Sequence, residues 1–238
     1  MPDYITSRRD GFADLFARSF IVDDRWKYLA NGLLNTLLIT VMALAMGLVL
    51  GMLAAYVRVT RDNTGKLRFF NLLAKIYLTV TRGTPVMIQL MIIYFVIFAS
   101  TGTPKLVSAA IAFGVNSGAY VAEIFRGGIM SVGHGQSEAG RSLGLSYRQT
   151  MSRIILPQAL KTSLPSLGNE FIVLVKETSI AGVIAVVDLT RGANIILSLT
   201  YDAFMPLMAA ALIYLGVVML LTYGLGKLER RLRQSDRR

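Results

Sequence analysis

The sequence contains no cysteine, a single histidine (His134) and a single tryptophan (Trp26), and only 16% of its 238 residues are charged. Without cysteine, disulfides and thiolate chemistry are excluded, although this says little about compartment. His134 has no ligand partners nearby in the sequence, so no metal site is expected. No G-x4-G-K-[ST] phosphate loop is present. The nearest approximation, Thr64-Gly65-Lys66, is followed by Leu67 where a magnesium-binding hydroxyl is needed, and Thr60 stands where the loop needs glycine. Gly133-His134-Gly135-Gln136 likewise lacks a following helix with a lysine. No serine sits in a strand-turn-helix elbow, and no paired carboxylates lie close together beyond the N-terminal arm. Neither an enzyme nor a cofactor held by this chain is expected.

What is abundant is apolar. Hydrophobic residues make up 54% of the chain and the mean hydropathy is +0.55, above the range of soluble domains. This composition predicts an all-α polytopic membrane protein. The formal charge of +11 comes from 25 Lys and Arg against 14 Asp and Glu. In so apolar a chain such an excess reads as the cytoplasmic side of a bilayer rather than as a nucleic-acid surface.

Residues 1–29 form a mixed-charge arm, too polar for a signal peptide, so the first span is expected to direct insertion. Phe12, Leu15, Phe16 and Phe20 recur at helical spacing, which fits a helix lying along the membrane interface or, equally, a plain flexible arm. The membrane domain is expected over residues 30–226. Ala30 to Val57 carries no charge and is long enough to cross a hydrocarbon core of about 30 Å. Within it, Gly47-x3-Gly51 offers a flat face for a neighbouring helix. The second span is expected over Gly83 to Pro104, the third from Leu106 to Ala122, the fourth from Ile154 to Val175 and the fifth from Ala203 to Gly226. The fourth holds Lys161, Asn169 and Glu170, a composition that predicts a central position away from lipid. Ser179 to Val187 is too short to cross and reads as re-entrant or interfacial. With an external N-terminus, the segments 58–82, 126–161 and 227–238 carry 17 of the 25 Lys and Arg on the cytoplasmic side, including a basic tail.

Between the third and fourth spans lies a polar island, residues 131–157, SVGHGQSEAGRSLGLSYRQTMSRIILP. Leu143, Tyr147 and Met151 follow Ala139 at every fourth position, which predicts one short helix, and Arg141, Arg148 and Arg153 make it basic. The residues also read E-A-x4-G-x9-I-x-L-P, from Glu138 to Pro157. This resembles the cytoplasmic coupling loop of permease subunits in bacterial ABC importers. Such loops usually read Glu-Ala-Ala; here the third residue is Gly140, which weakens a helix by about 1 kcal/mol relative to alanine and predicts a looser knob. Arg82-Gly83-Thr84-Pro85, AEIFRGGI at 122–129 and LPSLGNEFIVLVKETS at 164–179 are similar to the polar amino-acid uptake family, the histidine, glutamine and arginine type.

The resemblance implies a type I ABC importer permease fold with about five transmembrane helices and a cytoplasmic coupling helix, in the bacterial cytoplasmic membrane. It implies ATPase-coupling contacts from Glu138, Ala139, Gly140, Gly144, Leu145, Ile154, Leu156 and Pro157. The implied partners are a dimer of cytosolic ATP-binding subunits, which bind the ATP and magnesium, and a second permease, either a copy or a sister chain. An extracytoplasmic substrate-binding protein completes the set. An amino acid carries an ammonium and a carboxylate, so its pathway needs an acceptor beside a donor. Glu123 and Arg126, three apart on a helix, meet that need, with Asn169 and Thr84 as neutral contacts. The same pair could instead neutralise itself near the membrane interface, with Arg126 reaching the headgroups. A permease for methionine or a quaternary ammonium is an alternative function, and an intramembrane enzyme a more distant one.

Overall fold

The computed structural model describes residues 11–235, almost all of them helical, with no strand among them. A short helix, α1 (Phe12–Phe16), continues as a π-turn over Ala17–Ile21. Leu15 and Phe20 pack inward, whereas Phe12 stays exposed. Residues 1–10 of the arm and 236–238 of the tail lie outside the described residues. The first long helix, α2 (Trp26–Thr64), outruns the expected span by seven residues at its far end. Arg58 ends the run compatible with a membrane but not the helix, which stops only where Gly65 turns left-handed at φ +71°.

The centre of the bundle is α5 (Lys105–Ser131), a place expected from the sequence for the fourth, least apolar span. Its Ser108, Ala109, Ala112, Gly114, Ser117, Gly118, Ala119 and Ala122 are all buried. Small side chains let neighbouring backbones close in, and proximity decides burial more than polarity does. The seam with α2 runs through the Gly47-x3-Gly51 face. A Cβ at Gly51 would stand 2.5 Å from Val121 Cγ1 and 2.8 Å from the Gly118 carbonyl oxygen.

The expected second span differs most. Helix α3 (Arg68–Gly83) ends at Thr84 and Pro85, both extended, and α4 (Val86–Ile92) with its π-turn Ile93–Ile97 leaves at 112° to α3. Proline disfavours a helical conformation in the residue before it, so the uncharged run from Gly83 breaks at its own start. The twelve residues of α4 and its π-turn rise only about 18 Å. Among the described residues three helices, α2, α5 and the last one, α10 (Phe204–Ser235), are long and apolar enough to cross a membrane, with a fourth crossing where the bent α3–α4 pair is taken as one broken span. Helix α8 (Leu156–Glu177) supplies a further 22-residue arm against α5.

After α8, the chain makes a tight 3-10 stretch over Thr178–Ile184. Its Thr178, Ala181 and Ile184 are buried, the last two against the core of Leu90, Phe113 and Leu174. The short apolar run therefore packs into protein. Helix α9 (Leu189–Thr200) follows, capped by the Asp188 carboxylate, which accepts from Thr190 N–H at 2.9 Å. It rests on the start of α2, where the Leu189 amide donates to Thr36 Oγ1.

The polar island is two helices and not one: α6 (His134–Ser142) and α7 (Tyr147–Thr150). Gly144 separates them at φ +76°. The Leu145 amide donates to the Gly140 carbonyl and the Gly144 amide to Arg141, a Schellman ending that needs glycine at this position. Ser146 and Gln149 then form a reciprocal capping box that starts α7. Leu143 and Tyr147 keep helical spacing across a turn in which no helix runs.

Candidate functional site

Two polar clusters line α5. The upper one begins at the α3–α4 bend. Gln89 Nε2 donates to the Thr81 and Thr84 carbonyls at 2.7 and 3.0 Å and to Thr84 Oγ1 at 2.8 Å, which secures the bend. Gln89 Oε1 accepts from Asn116 Nδ2 at 3.1 Å, so the bend is also tied to α5. On the adjacent residue, Ser117 Oγ donates to Glu170 Oε1 of α8 at 2.7 Å, with both groups buried.

The lower cluster sits two turns further along α5. Glu123 Oε2 accepts from Arg126 Nε and Nη2 at 3.2 and 2.8 Å, and its Oε1 accepts from Arg58 Nη1 of α2 at 3.2 Å. Each carboxylate oxygen is thus engaged, and the three side chains are only partly exposed. Arg126 Nη1 also reaches Met130 Sδ at 2.9 Å.

Of the four residues singled out in the sequence, Glu123 and Arg126 meet directly. Asn169 is on α8 and lines an open cleft of about 510 Å³ together with Ile124, Pro165, Glu170 and Glu229. Thr84 lies apart at the bend, where its hydroxyl accepts from Gln89, which in turn accepts from Asn116 of α5. Sequence reasoning missed Arg58, Asn116 and Ser117. The signal available for the last two was a pair of polar residues flanked by Gly114 and Gly118 inside an apolar span. Gln89 bonds a neighbouring helix, accepting from Asn116 of α5. No cluster of three or more Asp, Glu or His suited to a metal occurs among the described residues.

The α6–α7 knob carries the residues matched to a coupling loop. Glu138, Ala139 and Gly144 are exposed, as are Leu156 and Pro157 at the start of α8, while Leu145 and Ile154 are half-buried. Leu143, at the tip, is 79% exposed. Gly140 is buried instead: a Cβ there would stand 2.8 Å from Thr150 Cγ2 and 3.1 Å from Ile154 Cδ1. The glycine expected to loosen the knob lets α6 close onto the chain that follows. Tyr147 lies beside Asn63 and Tyr56 of α2, and its burial there raises the phenol above its ordinary value.

Comparison with known proteins supplies the context for this arrangement. The glutamine transport system permease protein of Escherichia coli K12 is 40% identical over 166 residues, 68% of this chain and 76% of that protein. The L-cystine transport system permease protein of Bacillus subtilis is 37% identical over 221 residues, 92% of this chain and 90% of that one. A crystal structure of an amino acid ABC transporter with histidines matches with a TM-score of 0.79 at 39% identity, covering 89% of this chain and 98% of that one. A methionine ABC transporter in an inward-facing conformation matches at 0.76 with 20% identity, which shows the shared fold alone. Residues 47–234 match the model of a single family. From α2 to α10, then, the chain belongs to the family of binding-protein-dependent transport system inner membrane components.

Proposed function

We propose that this chain is the permease subunit of an ATP-driven importer that carries a polar amino acid across the cytoplasmic membrane. The observation that carries this reading is the α6–α7 knob: a rigid projection, closed by a Schellman turn and a capping box, that ends in a large exposed leucine. Such a tip suits a groove on another protein. A dimer of ATP-binding subunits is the partner that would fill this role and hold the ATP and magnesium. The names of the glutamine and cystine permeases support an amino acid as cargo. A second permease, a copy or a sister, and an extracytoplasmic binding protein complete the assembly. The knob and the basic tail face the cytoplasm and the N-terminus lies outside.

Substrate passes along α5. A zwitterion inserted between Glu123 and Arg126 replaces one ion pair with two, its ammonium on Glu123 and its carboxylate on Arg126. Arg58 holds the far side of Glu123 during the exchange. Asn169, in the cleft beside Glu170, and Thr84, at the bend, flank that route. The chain reconstituted with its ATPase should hydrolyse ATP faster when the binding protein delivers one of a panel of amino acids. Uptake without nucleotide, or no response to any amino acid, refutes the reading. In Arg126→Ala, stimulated hydrolysis should fall about tenfold or more, as expected when a charge-assisted contact is lost, while the complex still assembles; unchanged uptake removes Arg126 from the route.

A further inference from the structure

Helices α9 and α10 form a hairpin whose tip is held by hydrogen bonds. Thr190 Oγ1 and the Tyr214 hydroxyl stand 3.3 Å apart. From that contact each helix runs about ten residues, or about 15 Å, before the two meet at 201–203. The Tyr201 amide donates to the Leu197 carbonyl at 2.8 Å, and the Asp202 amide to Thr200 Oγ1 at 3.3 Å. Thr200 is buried and donates in turn to the Ile196 carbonyl, while Asp202 Oδ1 accepts from the Phe204 amide at 2.9 Å and so starts α10. In this frame Tyr201 sits at φ +56°, a left-handed conformation that a bulky side chain avoids and glycine takes freely. The other non-glycine residues described with positive φ differ from it: Asp23 and Asp24 are of a type that tolerates this region, Ala185 is small and Leu67 is half-buried. Tyr201 is 92% exposed, more than any other large hydrophobic residue described, so its ring gains almost nothing within the chain. A strained residue without internal contacts points to a role outside the chain.

The tip and the knob lie at opposite ends of the bundle. Helix α10 leaves the tip and meets Gly168 of α8 only at Leu225, about 30 Å along, whereas the knob precedes the start of α8. On its way to the tip, α9 passes the first turns of α2, with Leu189 at Gly32 and Gly192 against the Tyr28 carbonyl. Trp26 and Tyr28 are exposed on those turns and mark the aromatic belt of the outer interface. Continuing from Gly192 to Thr200, α9 rises about 12 Å past that level, so Tyr201 stands beyond the belt and not in it. We infer that Tyr201 is the anchor on which the extracytoplasmic binding protein docks, its ring entering an apolar pocket on that protein. The inference rests on the importer reading and on the binding-protein dependence of the family. A rigid, exposed aromatic ring loses little freedom on binding, and tyrosine is enriched among the residues that dominate interfaces.

The test uses the permease–ATPase complex in phosphatidylcholine nanodiscs, with the binding protein and amino acid that most stimulate its ATP hydrolysis. In Tyr201→Ala the binding-protein concentration for half-maximal stimulation should rise about thirtyfold, as when a central anchor is lost, while the rate at saturation stays that of the parent. Tyr201→Phe keeps the ring and should recover most of the affinity. Tyr201→Gly suits the left-handed turn, so it should melt no lower than the parent and yet bind as weakly as the alanine variant. Unchanged half-saturation in Tyr201→Ala would overturn the assignment alone. A loss in nanodiscs that is absent in detergent would make the ring a membrane anchor and overturn it too, as would a fall in melting temperature that tracks the loss of binding. If no binding protein stimulates the parent complex, the importer reading itself falls and the assignment with it.

Discussion

At Gly51 the α2–α5 seam closes on a valine and a backbone carbonyl, whereas at Leu143 the α6–α7 knob ends in open solvent. The seam is held by contact between residues some seventy positions apart. The knob is held by bonds between neighbours, the Leu145 and Gly144 amides on one side and the Ser146–Gln149 box on the other. Close packing is concentrated in the seam and the proposed ATPase contact in the knob, so substitutions in the two should separate stability from coupling.

The largest expected effect tests the seam. In Gly51→Val the added carbons meet Val121 and the Gly118 carbonyl, and the carbonyl belongs to a helix backbone that cannot swing aside. Overpacking of this kind costs about 1–3 kcal/mol, so the purified permease should melt at clearly lower temperature. An unchanged melt would mean that the helices are not in such close contact. The next effect tests the knob. Leu143→Asp should leave melting within about 0.5 kcal/mol of the parent, because an exposed side chain contributes little to folding. Loss of an apolar anchor at an interface centre costs about 2 kcal/mol, so ATPase binding measured by titration should weaken about thirtyfold. If melting and binding fall together, the division between seam and knob fails.

The same division explains what could be read in the sequence. The bounds of the knob were legible because a Glu-Ala pair, a leucine-proline pair and their spacing are local features. Its interior was not, since Leu143, Tyr147 and Met151 keep a four-residue spacing whether or not a turn intervenes. Counting uncharged residues likewise ran a span through Thr84 and Pro85, because apolarity does not report a bend. Glu123 and Arg126 were legible as a pair three apart on one helix. Arg58, 65 residues from Glu123, and Glu170, 53 residues from Ser117, were not, because no local pattern reports which side chains a fold brings together. Burial was misjudged for a related reason: polarity pointed to α8, whereas small side chains made α5 the centre.

The smallest effect is the most discriminating, because Gly140 belongs to both descriptions at once. It sits in the knob, yet it is buried and closes a contact as Gly51 does. Replacing it with alanine sets two terms against each other. Helix propensity favours alanine by about 1 kcal/mol. Against this, the new Cβ stands 2.8 Å from Thr150 Cγ2 and 2.9 Å from Thr150 Oγ1, and a buried β-branched side chain has few rotamers into which to retreat. Gly140→Ala should therefore change knob stability by no more than about 1 kcal/mol, measured by hydrogen exchange across α7. The double variant Gly140→Ala, Thr150→Ala resolves the two terms. Thr150 Oγ1 has no hydrogen-bond partner among the described residues, so truncation removes the obstacle without breaking a bond. If contact sets the balance, alanine at 140 is more favourable with Thr150 truncated than with it present, by about 1 kcal/mol of coupling between touching residues. Strictly additive substitutions would mean that the knob does not close on Gly140, and its rigidity would then rest on the two caps alone.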